Sequence, residues 1–125
     1  MDARAAINLT SVVLGAREPV ALAGFYRELL GWERHFEEPD WVMIRPPGGG
    51  VGLSFQGEPD HVPPAWPAGP SRQQMQMHLD LRVEDLGAAC AHAERLGASR
   101  AGFQPQRDVR VYLDPEGHPF CLFED

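Results

Sequence analysis

The chain has 125 residues, 43% of them apolar and 23% charged, and a formal net charge of −7. That length fits one domain with a core of its own, and an acidic balance with no basic cluster to offset it excludes nucleic acid and an anionic membrane surface as partners. No apolar run reaches the roughly 18 residues of a helical membrane span, MDARAAINLT lacks the basic start and apolar run of a secretory leader, and Cys90 and Cys121 read as reduced thiols of a cytoplasmic protein.

Residues 8–16, NLTSVVLGA, form a strand candidate rich in β-branched and apolar side chains. REPVALAGFYRELLGWE then reads as a helix. Pro19 suits its first turn, Glu18 favours the positive end of the helix dipole, and Leu22, Phe25, Tyr26, Leu29 and Leu30 recur at helical spacing. Gly31 follows as the left-handed stop. Three short strands are expected next, at 32–36, 40–45 and 51–56, separated by Glu-Pro-Asp and Pro-Pro-Gly-Gly-Gly turns. Gly48-Gly49-Gly50 has no following Lys-Ser/Thr and opens a strand, so it is a turn and not a phosphate loop.

Residues 58–72 hold five prolines, which block ladder hydrogen bonds and favour a stiff extended connector. Trp66 within it is a large apolar residue expected to dock onto a surface. The strand QMHLDLRV follows, then the helix EDLGAACAHAERLGA with Leu86, Ala89, Cys90, Ala93 and Leu96 as its apolar stripe and Gly97 at its end. Further strands are expected at 100–103, 108–113 and 119–124. Both halves thus read β-α-β-β-β. EPVALAGFYRELLGW and EDLGAACAHAERLGA run from an acidic start to Leu-Gly over nearly the same length, an internal repeat of about 60 residues. The division expected is module one at 7–57, a Pro-rich connector at 58–73 and module two at 74–124 of a single domain.

The tandem repeat, FYRELLGW closing the first helix and DPEGHPFCLFE near the C-terminus together resemble the vicinal oxygen chelate superfamily, which includes glyoxalase I, bleomycin resistance proteins and extradiol dioxygenases, in particular a glyoxalase-like branch. The resemblance covers about residues 7–124. It implies an α+β fold of two βαβββ modules whose curved sheets enclose a cleft, with helices outside, and a homodimer in which clefts can be shared between chains.

In metal-using members of that superfamily, four side chains converge in the cleft, usually His or Glu, and the ion polarises a substrate with two neighbouring oxygens. The resemblance carries these positions to Ser11, to Leu53 with a slip to Ser54, to His78 and to Cys121. His78 is the one position that keeps a family-type ligand. A stable site normally needs three or more protein ligands, so no catalytic metal and no cofactor are expected. A divalent ion would need help from residues off those positions, such as Asp80, Glu124, His61 or His118.

The strand period adds detail. Met77, Leu79, Leu81 and Val83 share one face, and His78, Asp80 and Arg82 share the other, which would line the cleft. The resemblance sets Cys121 beside His78, the arrangement of an activated thiol, although FCLF also reads as an ordinary apolar strand. Phe123 shares the face of Cys121. Trp41 and Met43 share a face opposite Val42 and Ile44, and either pair suits the core. Arg110 and Tyr112 share a face of unassigned direction. The candidate cleft is therefore Ser11, Trp41, Met43, His78, Asp80, Cys121 and Phe123. The function expected is binding of an apolar or aromatic small molecule, as in bleomycin resistance proteins, without a catalytic metal. The alternatives are a metal-dependent lyase, isomerase or oxygenase, and an accessory domain that meets a protein partner through the Trp66 segment.

Overall fold

The computed structural model describes residues 5–125. The leader reading of MDARAAINLT therefore falls partly on residues 1–4, which lie outside the described residues. The elements are β1 (Ser11–Ala16), α1 (Pro19–Leu30), β2 (Glu33–Glu38), β3 (Trp41–Arg45), β4 (Gly52–Gly57), β5 (Leu79–Arg82), α2 (Leu86–Arg95), β6 (Ser99–Arg100), β7 (Val109–Leu113) and β8 (Pro119–Phe123). They form two four-stranded mixed sheets, ordered β1-β4-β3-β2 and β5-β8-β7-β6. In each, the first strand pairs in parallel with the last, and the other pairings are antiparallel. This is the α+β arrangement of two βαβββ units that the repeat predicts. Among the described residues, no helix is long and apolar enough to cross a membrane.

Local chemistry accounts for the helix ends. Pro19 opens α1, and Gly31 closes it at φ 69°, its N–H donating to the Arg27 carbonyl at 2.8 Å. At the start of α2, Asp85 Oδ1 accepts the Ala88 N–H at 3.0 Å and Glu124 Oε2 accepts the Leu86 N–H at 2.7 Å. Glu124 thus caps a helix and does not face His78 as a reserve ligand.

Two strands differ from the sequence reading. QMHLDLRV becomes a strand only at Leu79, so His78 stands just before β5. Gln76 sits at φ 61°, and the Met77 N–H turns back to the Met75 carbonyl at 2.6 Å. Leu79 aligns with Phe120, so the next rung would fall on Pro119, which has no N–H to donate. The strand expected at 100–103 shrinks to Ser99–Arg100. Beyond it, the Gln104 side chain replaces the ladder, bonding the Ala101 and Val111 carbonyls and the Val111 N–H.

One core joins both modules. Leu22, Ala23, Phe25 and Tyr26 of α1, Cys90 and Ala93 of α2, Val42, Ile44, Leu53 and Phe55 of the first sheet, and Tyr112, Phe120 and Leu122 of the second are all in it. The helical and alternating apolar patterns therefore point inward together, and the opposite faces of both sheets turn away from this shared core. Trp66 covers part of the second sheet's outer face. It packs with Val109 on a small cluster of Ala101, Val111 and Cys121, and its indole N–H donates to the Phe103 carbonyl at 2.9 Å.

The joint between modules centres on Asp114, 4% exposed. Its Oδ2 accepts the Tyr26 hydroxyl at 2.7 Å, and its Oδ1 accepts the backbone N–H groups of Glu116 and His118 at 2.8 and 3.0 Å. His118 Nδ1 lies 2.9 Å from Oδ2. The Glu116 carboxylate accepts the Arg17 and Glu18 N–H groups at the entry to α1, and the His61 ring stacks on His118 with centroids 4.8 Å apart. Gly117 fits here because its φ is 89° and a Cβ would lie 2.5 Å from Pro63 Cβ. Burial draws the His118 pKa down, but the Asp114 hydrogen bond and charge and the Gly15 carbonyl outweigh it, so the pKa stands above its ordinary 6.5. A raised histidine pKa stabilises the fold fully below the unfolded value and loses that contribution as pH climbs through the folded value.

Urea midpoints should therefore fall as pH rises above 6.5, and His118→Gln should flatten that slope; an equal slope in the variant would remove His118 as its source. Asp114→Ala should destabilise by about 3 kcal/mol in urea titrations, because it strands several buried donors at once.

Candidate functional site

The outer face of the first sheet is assembled by strand register. Phe36 pairs with Met43, Met43 with Ser54, and Ser54 with Val13, so these four form one row across four strands. The adjoining row is Glu38, Trp41, Gln56 and Gly15. Val42 and Ile44 are fully buried against α1, which settles the direction of β3: Trp41 and Met43 face outward and are half-buried. Phe36 and Val13 are 46% and 43% exposed. Ser11 and Ser54 share a hydrogen bond at 2.6 Å between their hydroxyl oxygens. At one end the face opens into a concavity of about 460 Å³ lined by Val13, Gln56, Glu58, Asp60, His61 and Gln73.

The second sheet repeats the frame with other chemistry. Asp80 pairs with Cys121, and Cys121 with Val111. Asp80 therefore corresponds to Val13, Cys121 to Ser54, and His78 to Ser11. The slip in the sequence reading resolves to Ser54, since Leu53 lies in the main core at 5% exposure. His78 Nε2 approaches Asp80 Oδ1 at 3.0 Å, and donor atoms of His78, Asp80 and Cys121 all lie within 4.8 Å of one another. Phe123 is half-buried one rung along from Cys121, opposite Arg82.

A family model described as a glyoxalase-like domain matches residues 11–123. The chain belongs to the glyoxalase-like domain family. Among solved structures it is similar to a glyoxalase/bleomycin resistance protein/dioxygenase family enzyme from Burkholderia phytofirmans, with TM-score 0.69 and 16% identity over 94% of this chain and 98% of that one. It is also similar to TnmS3, an antibiotic binding protein from a Streptomyces species, with TM-score 0.64 and 20% identity over 97% and 98% of the two chains. A third likeness is to lactoylglutathione lyase from Agrobacterium tumefaciens, with TM-score 0.62 and 17% identity over 98% and 96%. At these identities the likeness carries the fold alone. No curated protein matches the chain.

The four-ligand metal set of the wider superfamily does not fit here. Ser11 and Ser54 offer only hydroxyls already bonded to each other, and Leu53 is core. Three of the reserve ligands are engaged elsewhere: Glu124 at the α2 start, His61 and His118 at the module joint. Asp80 alone joins His78 and Cys121. The thiol is not primed for nucleophilic attack: burial, then the Asp80 charge and hydrogen bond, push the Cys121 pKa up to about 11.

The structure also places residues that the sequence reading missed or left open. Phe36 joins the outer row because a bulge between Arg34 and Phe36 resets the β2 register, which alternation alone does not reveal. Tyr112 is fully buried, its hydroxyl engaged by Glu94 and Arg100, and Arg110 lies opposite the core residue Leu122, so the face they share is the helix-facing one.

In metal-free Cys90→Ala protein, Cys121 should alkylate slowly near neutral pH, with a rate that keeps climbing toward pH 11. Adding Trp66→Ala should speed the reaction by uncovering the thiol. A rate already at its plateau near neutrality would identify an activated thiolate instead.

Proposed function

We propose that the protein binds a small apolar or aromatic molecule on the outer face of its first sheet. The observation that carries this reading is the Phe36–Met43–Ser54–Val13 row beside Trp41. It is an apolar, partly exposed strip without an ionisable side chain, on a chain of net charge −7. Ring faces and a polarisable thioether suit a flat ligand, and the part-exposed Ser11 hydroxyl with the Gln56 amide offers polar contacts to orient it, while the fully buried Ser54 hydroxyl holds Ser11 in place. The likeness of the fold to that of TnmS3, an antibiotic binding protein, supports the same class of function.

We infer further that the functional unit is a homodimer. The outer faces of the two sheets point away from one shared core, so among the described residues this strip has no opposing wall. A second copy would supply that wall, and the exposed Phe36 and Val13 side chains support such a contact.

Native mass spectrometry with a panel of planar aromatic compounds should show complexes of one ligand per chain, carried by a dimer. Trp41→Ala should weaken the best complex by roughly tenfold or more, as expected for loss of a stacking ring. A panel without any complex, or a complex indifferent to both Trp41→Ala and Phe36→Ala, would sink the reading. A monomeric spectrum at micromolar concentration would remove the dimer.

A further inference from the structure

We propose that His78, Asp80 and Cys121 form a zinc site contained wholly within module two. It differs from the four-position set that the superfamily resemblance implies. Module one contributes nothing to it, and one of its ligands, Asp80, is not at a family position.

The geometry comes from two constraints. The parallel register of β5 on β8 sets Asp80 opposite Cys121 on the outer face. His78 precedes the strand, free of the ladder, and its ring reaches back to Asp80 at 3.0 Å. A nitrogen, an oxygen and a sulfur thereby lie within 4.8 Å of one another, from where small side-chain rotations bring all three onto one tetrahedral ion. Module one is an internal control on this placement. The corresponding positions carry Ser11, there held in the β1 ladder opposite Gly52, with Val13 and Ser54, a set that cannot hold an ion. Strand pairing brings such positions together in both modules, and only in module two do they carry three metal-donor side chains.

The donor types select the metal. Thiolate with imidazole and carboxylate favours zinc over magnesium, calcium or manganese, which prefer oxygen. Binding releases the Cys121 proton to solvent and replaces the His78–Asp80 contact with two bonds to the ion. The sulfur side is walled by Val111, Ala101 and Trp66. The Asp80 and His78 side chains are 62% and 37% exposed, which leaves an approach for the ion. Three protein ligands leave the fourth tetrahedral position for water or for a donor atom of a bound molecule. This site is independent of the ligand strip on the first sheet.

The test uses the full untagged chain, stripped with chelator and titrated with cobalt(II), a spectroscopic stand-in for zinc, and with zinc in competition against a chromophoric chelator. One equivalent per chain should bind, with a thiolate-to-cobalt charge-transfer band. That band should persist in Cys90→Ala and vanish in Cys121→Ser. Zinc affinity should fall at least about tenfold in both His78→Ala and Asp80→Asn, since each leaves only two ligands. Should Cys121→Ser fail to fold, the exposed His78→Ala and Asp80→Asn variants decide the matter alone. No band in the wild type, or zinc affinity unchanged in those two variants, would overturn the site.

Discussion

The buried contact between the Tyr26 hydroxyl and Asp114 sets the arrangement of everything else. It joins the helix of one module to the β7–β8 turn of the other, and a carboxylate removed from water holds its place only if its oxygens are fully engaged. Here they accept from Tyr26, from two backbone N–H groups and from His118. Burial and the neighbouring Asp114 charge in turn push the Tyr26 pKa well above its usual value, so the hydroxyl stays a donor. Around this point Phe25, Tyr26, Phe55, Tyr112 and Phe120 pack ring against ring. The helix-facing sides of both sheets are thereby committed to one core.

That commitment decides where chemistry can occur. Each sheet has one face left, and both remaining faces point outward. Their shared frame makes the two modules comparable position by position. Where module one has Ser11, Val13 and Ser54, module two has His78, Asp80 and Cys121. One face is built of rings, a thioether and paired hydroxyls. The other concentrates nitrogen, carboxylate and sulfur at a single point. Two halves with one strand plan thus carry two unlike surfaces, one apolar and one rich in donor atoms.

The connector adds a second asymmetry. Trp66 is the docked residue that its size and its Pro-rich setting lead one to expect, and its surface is module two of the same chain. Among the described residues the first sheet has no equivalent cover, so Phe36 and Val13 of its row stay exposed. An apolar strip left uncovered on an acidic protein is what a binding face needs, since burying it against a ligand or a second copy removes ordered water without separating charges.

Sequence alone determined the helices, the repeat and most strands, because side-chain periodicity and Gly/Pro punctuation are local properties that the backbone obeys wherever the chain lies. It also determined that Val42 and Ile44 oppose Trp41 and Met43, and that His78 and Asp80 share a face. It did not determine which of those faces is core, because both pairs on β3 are apolar and only the position of α1 distinguishes them. Nor did it show that β5 begins after His78, which depends on Pro119 of a strand some forty residues away. His118 entered the sequence reading as a reserve ligand and Asp114 only within its motif, until the fold set both at the joint between modules. The strand period put Asp80 on the face of His78 and the resemblance put Cys121 beside it, but the row of Phe36, Met43, Ser54 and Val13 and the pairing of Asp80 with Cys121 were decided by tertiary structure, because strand register and sheet order are set by long-range pairing that no local pattern encodes.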